Sequence, residues 1–400
     1  MRTTPLAEMP VRGTAPCRFP LVARVAVRIT APESRISGPA GAVAAIWLHC
    51  QAKSNQAPNM QTTYQNQQWF YVKRPDGRVG NEHYELRKTE LDGNLSANEV
   101  ILRARIVSVD PYIRIQQHER NTYDVPHPLG IVQRAGVVGE VVASASPLFQ
   151  AGDWVSAYSG WQLYARCHQS ELTKLDPGAA PVSTALGVLG MPGRTAWFGL
   201  TEAGRPRPGD TLLVSGAAGA VGSLVAQFGK RAGCRVIGIA GGPEKCKFLT
   251  ETLELDGAVD YRAHTTPAAL SAAIQAATGG VDIYFDNVGG PITDAVIPLI
   301  KRRARIIICG AISQYDGGLD TPDLGPRFLQ HMLFQRATIQ GILARDFAHR
   351  MDEMLAIVAP WVKSGQIVFQ ETYVDGFEQL PEALNSLFEG KNTGKLLVRV

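Results

Sequence analysis

The chain has 400 residues, 45% of them hydrophobic and 19% charged, with a formal net charge of +4. That length and apolar content suffice for two domains with sizeable cores. The small net charge and scattered basic residues argue against a nucleic-acid partner, and the longest apolar run, Gly41–Leu48, is too short to span a membrane. The six cysteines (Cys17, Cys50, Cys167, Cys234, Cys246, Cys309) form no C-x-x-C and no metal-ligand spacing. They read as reduced, mostly buried thiols of a cytoplasmic protein.

The first 59 residues carry six Arg and one Lys against Glu8 and Glu33, with six prolines before Pro58. Arg-rich, acid-poor composition marks a mitochondrial-type presequence. The weak amphipathic pattern fits a poorly ordered extension better, or a reading frame opened upstream of a start at Met60. From Trp69 to about Leu189 short apolar runs (WFYVKRPDG, Val100–Val109, Ala135–Val142, Trp154–Tyr158) alternate with Gly, Pro, Asp and Asn, which predicts a mostly β, barrel-like domain. From Met191 to about Arg345 strands alternate with helices. Strands are expected at Leu212–Val214, Val236–Ala240, Val259–Tyr261, Ile283–Asp286, Arg305–Cys309 and Ala337–Leu343. Helices are expected at Val221–Ala232, Pro243–Leu255, Thr266–Thr278, Ile292–Ile300 and Phe328–Phe334. This is the pattern of a doubly wound parallel sheet. A helix at Phe347–Ser364 and a final strand, LLVRV, close the chain.

The most informative stretch is TLLVSGAAGAVG, Thr211–Gly222. A buried strand runs into glycines and then a helix, the β-α-β arrangement that holds a dinucleotide pyrophosphate. Gly216 allows the tight turn, Gly219 lets backbone approach the phosphates, and Gly222 lets the helix pack on the strand, whose N-terminal amides attract the anion. The spacing is G-x-x-G-x-x-G, which an ordinary α/β glycine turn can also show. The next strand ends in Gly241-Gly242-Pro243 rather than in a carboxylate. Nothing there repels a 2′-phosphate, and Lys245 can pair with one, so NADPH is favoured over NADH; alone, Lys245 would read as a solvated lysine at a helix start. Asn287 ends a strand where open sheets bind ligands, although a turn Asn before Gly289-Gly290 reads the same way.

The segments VDPYIR (109–114), GMPGRTAWFGL (190–200), SGAAGAVGS (215–223), GIAGGPEKC (238–246), YFDNVGG (284–290), CGAISQY (309–315) and KNTGKLLV (391–398) together resemble the zinc-independent medium-chain dehydrogenase/reductase superfamily. The resemblance is to the branch of prostaglandin reductase (leukotriene B4 12-hydroxydehydrogenase), alkenal double-bond reductase and curcumin reductase, and covers nearly everything from Met60 onward. It implies an α/β fold: a Rossmann NADPH-binding domain (190–363) beside a GroES-like barrel catalytic domain (60–189 with 364–400), assembled as a homodimer through nucleotide-domain edge strands. The run Ala337–Leu343 is apolar enough to be that edge. NADPH contacts are implied at Gly219, Ala220, Val221, Gly222, Lys245, Tyr261, Asn287, Cys309, Gly310, Ala311, Ile312, Ser313, Gln314, Tyr315, Ile342, Leu343, Ala344 and Asn392.

Zinc-dependent relatives carry an early Cys and a G-H-E segment. Here those positions read Val109-Asp110-Pro111-Tyr112 and PLGIVQRAGVVGE, and His83, His118, His127 and His168 are scattered, so no metal is expected. Conjugate reduction of an α,β-unsaturated aldehyde or ketone needs no Lewis acid. Hydride goes to the β-carbon, and a positioned hydroxyl can stabilise the enolate or protonate the α-carbon. Tyr315, in the family's catalytic position, is the candidate, with packing or a ribose contact as its plainer role. Tyr112 and Arg114 are expected to shape the substrate side, and Asp110 to fix a turn. Arg194, Ala344 and Ile113 depart from the family pattern and bear on substrate size and polarity. A carboxylate-bearing substrate would suit Arg194, and so would plain solvent exposure. The loops Gln116–Pro128 and Asp316–Phe328 are too irregular to read. A zinc-independent quinone reductase and a non-catalytic NADPH-binding protein are the competing readings.

Overall fold

The structure is a computed structural model that describes residues 62–119, 122–315 and 324–400. The N-terminal extension expected over residues 1–59 lies outside them, as does most of the loop from Asp316.

The first part of the described chain carries β1 (Thr63–Tyr71), β2 (Tyr84–Asp92), β3 (Glu99–Ser108), β4 (Ile131–Val132), β5 (Val137–Ser144), β6 (Trp154–Ala157), β7 (Tyr164–His168) and β8 (Thr173–Leu175), interrupted by the short α1 (Tyr112–Gln116). β2, β1 and β4 form a three-stranded sheet, and β3, β5, β6, β7 and β8 belong to a seven-stranded one. Their inward residues share one core, where Trp69, Tyr71, Tyr84 and Trp161 pack with Val100, Leu102, Val137 and Val155. The rings of Tyr84 and Trp161 lie 5.1 Å apart.

There follow α2 (Met191–Phe198), β9 (Thr211–Ser215), α3 (Gly222–Arg231), β10 (Arg235–Ala240), α4 (Pro243–Lys247), β11 (Gly257–Asp260), α5 (Pro267–Thr278), β12 (Val281–Asp286), α6 (Gly290–Val296), β13 (Ile300–Ile308), α7 (Ile312–Tyr315), α8 (Leu329–Gln335) and β14 (Thr338–Gly341). The six strands are all parallel, in the order β11-β10-β9-β12-β13-β14. Successive strand side chains point to opposite faces. Leu212 and Val214 of β9 join the core with Leu224, Val225 and Phe228 of α3, while Leu213 joins Leu270 and Ile274 of α5 on the other face. Both faces are covered, which is why these strands are continuous apolar runs.

The chain closes with α9 (Met351–Lys363), β15 (Glu371–Asp375), α10 (Leu380–Phe388) and β16 (Lys395–Arg399). β16 returns to the seven-stranded sheet antiparallel to β3, with Leu397 opposite Ser108, and β15 lies parallel to β16.

Several expected elements differ; the helix expected from Phe347, for one, begins at Met351 after a 3-10 turn over Ala344–Arg350. The helix expected over Pro243–Leu255 ends as α4 and continues as a wider π turn, Phe248–Thr252, that seats Leu249 in the core. The helix expected to reach Ile300 stops at Val296 and tightens into a 3-10 turn over Ile297–Leu299, because Pro298 has no N–H to continue the ladder. β13 begins at Ile300 rather than Arg305; the charged run Lys301-Arg302-Arg303 hides its start from an apolar-run criterion.

Candidate cofactor and substrate cleft

Winding of the parallel sheet reverses between β9 and β12. In open α/β sheets ligands bind beyond the strand C-termini at such a switch point. A cleft of about 830 Å³ lies there, lined by residues that follow all six parallel strands.

The turn after β9 forms the cradle. Gly216 has φ +58°, and a Cβ on Gly222 would stand 2.3 Å from the Gly216 carbonyl oxygen. A Cβ on Gly219 would meet only that oxygen, at 3.2 Å, its other side being open. α3 starts at Gly222 with no side chain capping it, which leaves its N-terminus available to an anion. Beside it, Asp286 is buried and ties the two strand ends together. Its Oδ1 accepts from Ser215 Oγ at 2.8 Å and from the amides of Val288 and Gly289. Asn287 donates its side-chain amide to the Ser215 carbonyl at 2.7 Å, so the side chain that could have been a mere turn residue is fixed at the cleft wall.

At the β10 end two cations converge. Lys245 Nζ donates to the Gly390 carbonyl at 2.8 Å and Arg262 Nη2 to the Glu389 carbonyl at 3.2 Å. Burial, and then the Arg262 charge, hold the Lys245 pKa below the ordinary lysine value. The nearby carboxylate, Asp260, is turned onto the amides of Gly242 (2.8 Å) and Arg262 (3.0 Å). Two converging cations suit a phosphate dianion. The residues present therefore fit an NADPH-type dinucleotide: a glycine cradle for the diphosphate and a cationic corner for the 2′-phosphate.

Opposite, Tyr315 lies in α7 with its hydroxyl folded back over its own loop, accepting from the Ala311 N–H at 2.8 Å. Burial raises its pKa above the usual tyrosine value. From the barrel side come Tyr112, Tyr123 and Tyr158. Tyr112 Oη donates to Tyr158 Oη at 3.4 Å, and burial raises the pKa of all three phenols.

Beneath them is a buried ion pair. Lys395 Nζ lies 3.1 Å from Asp110 Oδ1, with side chains 4% and 7% exposed. Lys395 also donates to the carbonyls of Val109 and Leu396, and Ser108 Oγ donates to Asp110 Oδ2.

Most expected site residues line this cleft: Tyr112, Gly219, Ala220, Val221, Gly222, Lys245, Tyr261, Asn287, Cys309, Gly310, Ile312, Ser313, Tyr315, Ile342, Leu343, Ala344 and Asn392. Three do not. Arg114 is fully buried beneath it, donating to the Gly77 carbonyl at 2.7 Å and to Gln117 Oε1; it braces the barrel because α1 turns that position inward. Ala311 and Gln314 sit in the right loop but off the lining; Ala311 acts through its amide on Tyr315. Ile113 is likewise core, fully buried, and Asp110 does more than fix a turn.

The residues that sequence reasoning missed are Lys395, Arg262, Tyr123, Tyr158 and Arg345. Arg262 had a signal, a basic residue just past a strand end, whereas Tyr123 lies in a loop without periodicity. Of the histidines, His127 is buried against Gln133 and pushed down to about 4 by burial. Among the described residues no three His, Cys, Asp or Glu side chains gather as a metal-binding group, and no helix is long and apolar enough to cross a membrane.

Comparison with known proteins places this geometry. A family described as "N-terminal domain of oxidoreductase" matches residues 67–175, and one described as "Zinc-binding dehydrogenase" matches residues 220–360. The NADPH-dependent curcumin reductase of Escherichia coli (strain K12) is 40% identical over 343 residues, covering 85% of this chain and 98% of the relative. The NADP(+)-dependent 2-alkenal reductase of Nicotiana tabacum is 35% identical over 350 residues, covering 87% and 99%. The crystal structure of CurA from Vibrio vulnificus in complex with NADPH matches with a TM-score of 0.76 and 40% identity, over 84% of this chain and 99% of that one. The chain therefore belongs to the medium-chain dehydrogenase/reductase superfamily, in the zinc-independent branch that contains the curcumin and alkenal reductases.

Proposed function

We propose that the protein is an NADPH-dependent reductase of the C=C bond of α,β-unsaturated aldehydes and ketones, with NADPH held by a Rossmann domain (190–363) and the substrate by a catalytic domain (60–189 with 364–400). The observation that carries this reading is the continuity of one cleft from the Lys245–Arg262 corner, past the glycine cradle, to the tyrosines around Tyr315. The four thiols among the described residues, Cys167, Cys234, Cys246 and Cys309, are unpaired, in keeping with a reducing, cytoplasmic setting.

NADPH supplies the hydride when bound. The chain's own residues do the rest. Lys245 and Arg262 fix the phosphate end, and the Gly219–Gly222 backbone sets the depth of the diphosphate. Because burial keeps Tyr315 protonated, its phenol is a hydrogen-bond donor rather than a base. The Ala311 N–H occupies one lone pair of its oxygen and leaves the proton for the enolate oxygen or the α-carbon. The tyrosine-lined barrel wall excludes water and favours a substrate that is mostly apolar.

Tyr315→Phe is expected to lower kcat on a 2-alkenal by about 100-fold, the lower end of what a positioned proton donor contributes. Following NADPH oxidation by absorbance, with the cofactor Kd from fluorescence titration, checks this. The wild-type rate should stay level with pH up to the ordinary tyrosine range, since the Tyr315 pKa is raised. Turnover of quinones alone, indifferent to the substitution, would make the protein a quinone reductase instead; tight NADPH binding with no turnover would make it a non-catalytic binder.

The assembly proposed is a homodimer. β14 ends the six-stranded sheet with every residue exposed, and the adjoining α8 exposes Leu329 (74%) and Leu333 (71%). A bare edge with apolar side chains beside it invites strand pairing, and a second copy offers the matching edge. Sedimentation should give a dimer for the wild type and a monomer for Ile339→Lys; a monomeric wild type ends the proposal.

A further inference from the structure

Five cationic side chains line the cleft: Arg194, Lys245, Arg262, Arg345 and Lys395. Four have acceptors. Lys245 and Arg262 hold carbonyls of residues 390 and 389. Arg345 bonds the Tyr123 carbonyl and lies 3.6 Å from Asp124, and Lys395 pairs with Asp110. Arg194 is the exception. Its Nε is shut off from solvent without a hydrogen-bond partner. Among the described residues no carboxylate comes within ion-pair distance of it, and burial alone lowers its pKa.

A guanidinium does not lose its proton on burial, and the enclosed Nε of this partly buried side chain lacks the acceptor that water would give it. Arg194 stands in the first turn of α2, with Met191 and Thr195 also on the cleft wall. α2 packs against α3, at the cradle, and against the Ala344–Arg350 segment, beside Tyr123. Arg194 thus lines the cleft from a helix that touches both the cradle helix and the Ala344–Arg350 segment.

We propose that Arg194 is an anion-binding residue of the cleft, pairing through its planar fork with an oxyanion: a carboxylate carried by the substrate, or the diphosphate of the dinucleotide. The inference rests on the reductase reading for the identity of those two ligands. A fork of N–H donors matches either oxyanion in bidentate fashion, and the site rewards that match more than a fully solvated arginine would, because among the described residues its Nε has no other acceptor.

The test uses the full chain with Arg194→Met and Arg194→Lys. Each is measured on a 2-alkenone bearing a distal carboxylate, on the methyl ester of the same compound, and on NADPH and NADP+ by fluorescence titration. If the anion is the substrate's, Arg194→Met lowers kcat/KM for the acid at least tenfold and leaves the ester unchanged. If it is the diphosphate, the Kd for both cofactor forms rises at least tenfold and the acid-to-ester ratio holds. Unaltered cofactor Kd together with an unaltered ratio overturns the proposal. Thermal unfolding should show the Met variant as stable as the wild type or more so. If it does not fold, Arg194→Lys, which keeps the charge and loses the fork, is read by the same two criteria. Calorimetric binding of the acid and the ester to the NADP+ complex needs no turnover. A wild type that reduces neither compound but binds the acid in an Arg194-dependent way would sink the reductase reading and keep this one.

Discussion

Lys395→Met is expected to destabilise the protein by about 3–5 kcal/mol, the usual cost of breaking one side of a buried ion pair. The Asp110 carboxylate would stay in a nearly dry site with only Ser108 Oγ to answer it. Lys395 also donates to the carbonyls of Val109 and Leu396, so the substitution takes this donor from acceptors on both segments that it joins, the exit of β3 and β16. Burial holds the Lys395 pKa below the ordinary lysine value even with Asp110 beside it, a sign of how strongly desolvation weighs there. Urea denaturation should show the loss as a lower midpoint at unchanged slope. The double variant Asp110→Asn/Lys395→Met should recover a large part of it, because no unpaired charge then remains. A single variant as stable as the wild type would mean that the pair is not a structural tie. Activity should fall along with stability, since Tyr112 follows Asp110 by two residues and loses its anchor.

Gly222→Ala should damage the cradle and the fold together. The new Cβ would lie 2.3 Å from the Gly216 oxygen and 2.9 Å from the Ala217 Cα, all backbone atoms that cannot swing aside. Forcing a methyl into such a contact costs roughly 1–3 kcal/mol, and here the relief must come from moving α3 away from β9. The NADPH Kd should rise at least tenfold, because the helix N-terminus moves with it. Gly219→Ala is the contrast. Its Cβ meets only the Gly216 oxygen at 3.2 Å and otherwise stands in the cleft, so stability should change little while cofactor affinity falls. Parallel denaturation and fluorescence titration separate the two. Equal behaviour of both variants would contradict the division of labour between a packing glycine and an approach glycine.

The cradle was readable because its requirements are local. A tight turn, a backbone approach and a helix start all fall within Thr211–Gly222, and the residues that meet them are consecutive. The alternation of apolar runs likewise reported strands buried on both faces, as β9 and β12 are. Legibility failed where the deciding partner lay far along the chain or where polar residues masked a strand. The start of β13 was lost behind Lys301-Arg302-Arg303. Arg114, expected with Tyr112 on the substrate side as part of the DPYIR segment, is turned by α1 into the barrel, while Tyr112 faces the cleft.

Two classes of information divide this protein. By itself the sequence determined the β-α-β turn, the preference for a phosphorylated dinucleotide implied by a strand ending without a carboxylate, and, through its run of matching segments, the superfamily. Each of these depends on neighbours a few residues apart. Only the tertiary structure decided which charges are paired. Asp110 meets Lys395 across 285 positions of chain, Lys245 meets the Gly390 carbonyl, and Arg194 meets no acceptor among the described residues. The physical reason is that a charge's cost depends on burial and on what lies within a few ångströms in space, and spacing along the chain encodes neither.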